Sequence, residues 1–244
     1  MTVSADIAVV IPAYNEAATI ADVATRARQQ VSRVIVVDDG SKDGTADKLF
    51  GLDVTLLRNE ANHGKALSLW RGMQQALDSG ATAIITLDAD GQHQPEDIPR
   101  LLEAWRANPG KLIIASRLRK TENAPRLRLF ANRFANFWVS WAAGYRIPDS
   151  QSGFRLYPAA VLWEVPAPKG RASCFAYESQ VLIDAAWRGH HSVPVVVDSV
   201  YHVAARPSHY RPALDTTRIV MMIAWRLIQR GGYPVGLWRL MRDR

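Results

Sequence analysis

Cysteine is almost absent. Cys174 stands alone, so the chain cannot close an internal disulfide and nothing in it depends on an oxidising compartment. No apolar run reaches the ~20 residues that a membrane-spanning helix requires. The longest candidate, Ile219 to Trp225, is flanked by Arg218 and Arg226. The opening residues, Met1-Thr-Val-Ser-Ala-Asp6, carry neither the basic cluster nor the apolar stretch of a secretory signal. There is no internal repeat, low-complexity tract or sustained heptad period, which excludes coiled-coil and collagen-like architectures. No Gly-x-Gly-x-x-Gly follows the first apolar segment, which argues against a nicotinamide-dependent oxidoreductase. These absences lead to the expectation of a cytoplasmic protein, free or peripheral on the cytoplasmic face of a membrane.

What is present suits one globular domain over residues 1–244. The chain has 244 residues, 48% hydrophobic and 9% aromatic, enough to bury a sizeable core. Its net charge of +7 is unevenly distributed. Residues 1–99 carry 8 Lys and Arg against 14 Asp and Glu; residues 100–146 carry 10 against 2; residues 147–199, 4 against 5; and residues 200–244, 8 against 2. An acidic first third suits a cation or a polar ligand. The two basic segments suit an anion: a phosphate, an anionic membrane surface or a nucleic acid. Solvated surface alone would account for the same balance.

Short β-branched runs at Ile7–Ile11, Val34–Val37, Val54–Leu57, Ala83–Leu87 and Leu112–Ala115 read as buried strands. Between them, helical periodicity runs over Glu16–Gln30, Lys65–Leu77 and from Pro95 to Trp105. Alternating strand and helix predict an α/β fold with a mostly parallel central sheet. Residues 1–115 would form a Rossmann-like nucleotide-binding half and 116–244 an acceptor-binding half. In the latter, helices are expected over Arg126–Tyr145, Phe175–Arg188 and Asp215–Arg230, with one or two strands over Val193–Val203. Ligands of such sheets bind at the carboxyl ends of the strands. Pro12-Ala-Tyr-Asn-Glu16, Asp38-Asp39 and Asp88-Ala-Asp90 all fall at those ends, so three clusters distant in sequence would meet at one edge.

Asp88 and Asp90, two positions apart beyond an apolar strand, can turn both carboxylates toward one hard cation, with Gln92 as a third oxygen. Phosphatases of the haloacid dehalogenase type also place Asp-x-Asp after a strand. They place it on the first strand, with a hydroxyl residue two positions later, where this chain has the fourth strand and Gln92. A non-catalytic basic module that binds membrane or nucleic acid would leave Asp38, Asp39, Asp88 and Asp90 gathered against a polyanion without purpose. A bound metal supplies that purpose, so no nucleic-acid partner is expected.

Taken together, Val10-Ile-Pro-Ala-Tyr-Asn-Glu16, Val36-Val-Asp-Asp-Gly-Ser41 with Asp43-Gly-Thr45, Asn62-His-Gly-Lys65, Leu87-Asp-Ala-Asp-Gly-Gln-His-Gln-Pro95, Ser116-Arg117 and Asp149-Ser-Gln-Ser-Gly-Phe-Arg155 resemble the family 2 glycosyltransferases. The chain looks most like the dolichyl- or polyprenyl-phosphate mannosyltransferase branch. Ala66 and Ala115 stand where the family often has glycine. The resemblance implies a GT-A fold and inverting transfer of a sugar from a GDP- or UDP-linked donor, with Mg²⁺ or Mn²⁺ as cofactor. It implies that Pro12, Tyr14 and Glu16 line the nucleotide pocket, that Asp38 and Asp39 contact base or ribose with Lys65 nearby, and that Asp88, Asp90 and Gln92 hold the metal on the donor diphosphate.

The acceptor is expected to be a lipid phosphate such as a polyprenyl phosphate, or a hydroxyl on a lipid, glycan or secondary metabolite. A phosphate acceptor needs no general base, because its second pKa of about 6 leaves it largely anionic. It needs cations, and Arg117, Arg128 and Arg155, with Asn132, are the candidates. A hydroxyl acceptor needs a carboxylate base. Glu178 would serve as that base or would orient an arginine, and Asp149 would be catalytic or would fix its turn. Arg117 is counted with them near the reacting atoms. His209 and Arg211 are expected on a loop over the donor. The aromatics of 126–145 (Phe130, Phe134, Phe137, Trp138, Trp141, Tyr145) share one helical face that is either lipid-facing or core. Trp225 with Arg218, Arg226 and Arg230 marks a second surface element of the same two readings.

Overall fold

A computed structural model of the chain describes residues 6–116, 126–168, 176–198 and 212–242, with the side chains of 126–131 and 212–216 left aside. Strands are β1 (Ile7–Ala13), β2 (Arg33–Asp38), β3 (Thr55–Arg58), β4 (Ala83–Thr86), β5 (Leu112–Ser116), β6 (Arg155–Pro158) and β7 (Ser192–Val196). Helices are α1 (Ile20–Gln30), α2 (Lys65–Asp78), α3 (Ile98–Ala107), α4 (Arg126–Ala143), α5 (Ala159–Glu164), α6 (Tyr177–Trp187), α7 (Pro212–Gln229) and α8 (Pro234–Arg242). The strands form one sheet in the order β3-β2-β1-β4-β6-β5-β7. All neighbours are parallel except at β6, which runs against both β4 and β5.

Strict alternation along the strands divides the core in two. Ala8, Val10, Ile35, Val37, Ile84, Leu112 and Ile114 face one side, where Leu69 and Met73 of α2, Val139 of α4, Leu182 of α6 and Ile223 of α7 cover them. Val9, Ile11, Val34, Val36, Ile85, Ile113 and Ala115 face the other, against Ile20, Val23 and Ala27 of α1 and Ile98 and Leu101 of α3. Helices on both faces leave the carboxyl edge of the parallel strands as the open rim.

Three differences from the sequence reading have local causes. The first helix starts at Ile20 instead of Glu16: residues 15–17 are tied to the next loop, their backbone N–H groups donating to Ser41 Oγ, Thr45 Oγ1 and Asp43 Oδ2, and the chain winds into α1 from Ile20, whose N–H reaches Glu16 O at 3.0 Å. Pro95 opens a 3₁₀ turn over Pro95–Asp97, which hands over to α3 at Ile98. β6, α5 and α8 were not expected from the sequence. β6 is only four residues long, and it completes the sheet between β4 and β5, so the two halves of the chain share one sheet.

Candidate functional site

The loops after β1 and β2 are built as one unit. Asn15 adopts a left-handed backbone, φ 54°, and its Oδ1 accepts from Lys42 N–H at 2.9 Å, closing the first loop onto the second. Burial works against the Asp43 carboxylate, but the Thr45 hydroxyl and the N–H groups of Ala17 and Thr45 overcome it and hold Asp43 below the ordinary carboxylate range. Pro12, Tyr14 and Glu16 line this rim, each partly exposed.

Asp38 and Asp39, expected to contact base or ribose, lie deeper than that expectation. They are 0% and 3% exposed. Asp38 Oδ1 accepts from Ser41 N–H at 3.0 Å, and Arg58 Nε lies 3.4 Å from Oδ2. Asp39 accepts from Asn59 Nδ2 and His63 N–H at 2.8 Å each, and from Gly64 N–H at 2.7 Å. Asp38 thus fixes the loop after β2, and Asp39 fixes the loop that starts α2 and through it the position of Lys65. Gly64 turns with φ 94°, a conformation that favours glycine, and Lys65 follows as the first residue of α2.

Lys65 meets the acidic motif at the end of β4. Its Nζ lies 2.7 Å from Asp88 Oδ1 and 3.0 Å from Glu178 Oε2 in the first turn of α6. Burial disfavours the ammonium charge, but Asp88 and Glu178 more than offset this and raise Lys65 above the ordinary lysine range. The second oxygen of Glu178, Oε1, is buried without a hydrogen-bond partner. Asp90 Oδ1 accepts from Gln92 N–H at 3.0 Å and holds the turn. Gly153 backs the motif: a Cβ there would lie 2.7 Å from Asp88 Oδ1 and closer still to Oδ2, so only glycine leaves the carboxylate its place. Thr86 Oγ1 donates to Gly153 O at 2.8 Å and ties the strand to this loop.

Among the described residues, no group of three or more His, Cys, Asp or Glu side chains is placed to hold a metal ion. Asp88 and Asp90 nevertheless offer two hard carboxylates on one turn, with Gln92 beside them. That donor set suits Mg²⁺ or Mn²⁺ when the ion completes its shell with diphosphate oxygens and water.

The loop before β6 is held from within. Asp149, 1% exposed, accepts from Gln151 N–H at 3.3 Å, which is the turn-fixing geometry. Asn136 of α4, not singled out from the sequence, accepts from Ser150 N–H and Oγ at 2.8 Å each and donates to Pro148 O. Its position one turn beyond Asn132 on α4 was the available signal. Arg155, expected to bind an acceptor phosphate, is 0% exposed. It donates to Ser152 O at 2.7 Å, Ser150 O at 2.8 Å, Glu178 O at 2.6 Å and Tyr157 Oη at 3.3 Å. Its guanidinium is consumed inside the protein, so it braces the loop and Glu178 instead of facing an acceptor. Asn132 is half-buried on α4. Arg117, His209, Arg211 and the side chain of Arg128 lie outside the described residues.

The aromatic stripe of α4 divides. Phe134 and Phe137 are exposed, whereas Trp138 and Trp141 stack at 5.1 Å and pack against the core. α7 and α8, which both lie against α4, are apolar on their outer faces as well. Val220, Met221, Trp225 and Ile228 of α7, and Val235, Trp238 and Met241 of α8, are all exposed. Arg226 is drawn inward, with Nη2 2.7 Å from Asp184 Oδ2, and Arg230 stacks over Trp187 at 4.2 Å. No helix among the described residues is long and apolar enough to cross a membrane.

Comparison with known proteins agrees with this architecture. The chain is 33% identical to polyprenol monophosphomannose synthase of Mycolicibacterium smegmatis, over 74% of this chain and 70% of the relative. It is 29% identical to UDP-N-acetylglucosamine–dolichyl-phosphate N-acetylglucosaminyltransferase of Methanococcus voltae, over 72% and 78%. Glucosyl-3-phosphoglycerate synthase of Mycobacterium tuberculosis, solved with Mn²⁺, UDP and glucosyl-3-phosphoglycerate, superposes with a TM-score of 0.62 at 21% identity, over 93% of this chain and 80% of that one. The family model described as glycosyl transferase family 2 matches residues 8–165, the stretch that holds β1 through β6 and the acidic motif, and the chain is a glycosyltransferase of that family with the GT-A fold.

Proposed function

We propose that the chain catalyses inverting, metal-dependent transfer of a sugar from a GDP- or UDP-linked donor to a lipid phosphate, of which a polyprenyl phosphate is the leading case, at a membrane surface. The observation that carries this reading is the pairing of Lys65 with Asp88, two residues before Asp90, beyond the carboxyl end of β4 and beside the loops of Tyr14 and Asp39. The names of the two relatives support the lipid-phosphate acceptor, and the Mn²⁺ and UDP in the solved structure support the donor chemistry.

In a single displacement, an acceptor phosphate oxygen attacks the anomeric carbon while the bond from that carbon to the donor diphosphate breaks. The departing nucleoside diphosphate takes the electron pair, and no proton need move. A divalent ion bound by Asp88, Asp90 and Gln92 would neutralise the charge growing on that leaving group. The chain's own part is to hold the two reactants in line. Pro12, Tyr14 and Glu16 border the nucleotide, and Lys65 offers an ammonium to the diphosphate. Asp38 and Asp39 support the donor through the loops they fix. Arg117, Arg128 and Asn132 remain the proposed acceptor ligands, and His209 and Arg211 the proposed loop over the donor.

Glu178 favours a second reading. Its Oε1, buried and unbonded, is a carboxylate oxygen that a hydroxyl acceptor could use as a base.

A peripheral membrane location is proposed through the outer faces of α7 and α8, with an anionic lipid leaflet as the occupant. Trp225 and Trp238 supply amphipathic anchors. Residues 200–244 carry 8 Lys and Arg against 2 Asp and Glu, which complements anionic headgroups.

Calorimetric titration of GDP and UDP, with and without Mn²⁺, tests the donor site. Metal-dependent binding of one nucleotide that is lost in Asp90→Ala is expected; a folded protein that binds neither would remove the transferase reading. Transfer from the matching sugar nucleotide to polyprenyl phosphate but not to polyprenol is the expected acceptor result. The reverse preference, abolished by Glu178→Gln, would install the hydroxyl reading.

A further inference from the structure

Lys65 occupies an unusual place for a residue at a cation site. Its ammonium lies 2.7 Å from Asp88 Oδ1, an oxygen of one of the two carboxylates available to a divalent ion. A divalent ion and an ammonium cannot share that oxygen at close range without strong repulsion. On the far side of the ammonium stands Glu178, whose Oε2 takes it at 3.0 Å and whose Oε1 is buried and has no hydrogen-bond partner. Glu178 is 9% exposed, and its backbone carbonyl is fixed by Arg155 Nη1 at 2.6 Å. It therefore has unused capacity to accept a second N–H from Lys65 if Asp88 gives the ammonium up. The Lys65 backbone is equally fixed, because Asp39 pins His63 and Gly64 immediately before it. Motion is left to the lysine side chain, swinging between two carboxylates on rigid supports.

We propose that Lys65 is a built-in competitor for the metal position: it neutralises Asp88 until a divalent ion claims that carboxylate, and Glu178 then receives the ammonium and holds it for the donor diphosphate. Glu178 is thus a positioning residue that acts through Lys65. The arrangement makes the protein alone a weak chelator and reserves tight metal binding for the moment when the diphosphate arrives with its own negative charge. This inference rests on Asp88 and Asp90 being the metal ligands, as proposed above.

The test is Mn²⁺ titration without nucleotide, read as free Mn²⁺ by electron paramagnetic resonance, on the full chain. Lys65→Met is expected to bind Mn²⁺ about tenfold more tightly than wild type, since one positive charge leaves the vicinity of a dication. Glu178→Gln is expected to bind it several-fold more weakly, because the ammonium then has only Asp88 as a charged partner. Removing the lysine should gain more affinity in the Glu178→Gln background than in wild type, because Glu178 there no longer draws the ammonium away from Asp88. With GDP or UDP present, the advantage of Lys65→Met should vanish or reverse.

A general structural role would weaken Mn²⁺ binding in both single variants, and that result overturns the inference. So does unchanged affinity in folded Lys65→Met. If Lys65→Met does not fold, Lys65→Gln takes its place: tighter Mn²⁺ binding supports the competition, and unchanged or weaker binding overturns it. Asp90→Ala separates the layers. If it binds Mn²⁺ like wild type, the metal site itself is misassigned and the inference falls with it. If binding is lost in Asp90→Ala but unaltered in Lys65→Met, only the role of Lys65 is refuted.

Discussion

The carboxyl rim of the sheet and the outer faces of α7 and α8 spend their side chains in opposite ways. At the rim, Asp38, Asp39, Asn136 and Arg155 are buried polar residues, each bonded to backbone or to another polar group. On α7 and α8, Val220, Met221, Trp225, Ile228, Trp238 and Met241 are apolar residues turned outward. A buried polar network fixes loops to within a fraction of an ångström, as a reaction site demands. An exposed apolar face fixes nothing by itself and gains only when another surface covers it. The contrast separates the part of the molecule proposed to position reactants from the part proposed to meet a membrane surface.

The most severe way to break the contrast is at Arg155. Arg155→Met leaves the carbonyls of Ser150, Ser152 and Glu178 without their donor, and should cost about 3 kcal/mol or more in urea unfolding. Nucleotide binding should fall with it, since Glu178 and the Gly153 loop lose their brace. An equally stable variant would show that the guanidinium is dispensable to the loop.

The outer face should answer in the other sense. Trp225→Ser with Trp238→Ser should shift unfolding by no more than about 1 kcal/mol, both rings being largely solvated already. Sedimentation with vesicles containing anionic lipid should fall on the order of tenfold or more. Wild-type binding should also weaken as salt rises. Loss of stability without loss of vesicle binding would assign these tryptophans to the fold.

The mildest effect is expected from Asp43. Its folded pKa is depressed, so its contribution to stability is present above the ordinary carboxylate value of about 4 and is lost as pH falls through the lower folded value. Thermal unfolding of wild type and Asp43→Asn should therefore differ most near neutral pH and converge below about pH 4. A difference that grows on acidification would contradict the direction of the shift.

Much of this site was legible because period and position carry it. Continuous β-branched runs announced β1, β2, β4 and β5, and the placing of polar residues after each run gathered Tyr14, Asp39 and Asp88 at one edge. The pairing of Lys65 with Glu178 was not legible, since it joins the start of α2 to the start of α6 and depends on how α6 packs across the sheet. Arg155 was misjudged for a related reason. An arginine in a polar motif reads the same whether its guanidinium meets solvent or three carbonyls, and only the completed fold decides. β6 escaped notice because four residues hold too little periodicity to register. α8 was missed although Val235, Trp238 and Met241 recur at helical spacing.

The reversed direction of β6 also governs how this scaffold can change. The chain leaves the reaction rim after β1, β2 and β4, but approaches it on the way into β6, where Arg155 pairs beside Thr86. An insertion ahead of β6 would therefore remodel the mouth of the cleft, whereas one after Pro158 would emerge at the opposite rim, beside Thr82, whose carbonyl accepts from Ala159 N–H. A single antiparallel strand thus sends the segment before it to one rim of the sheet and the segment after it to the other.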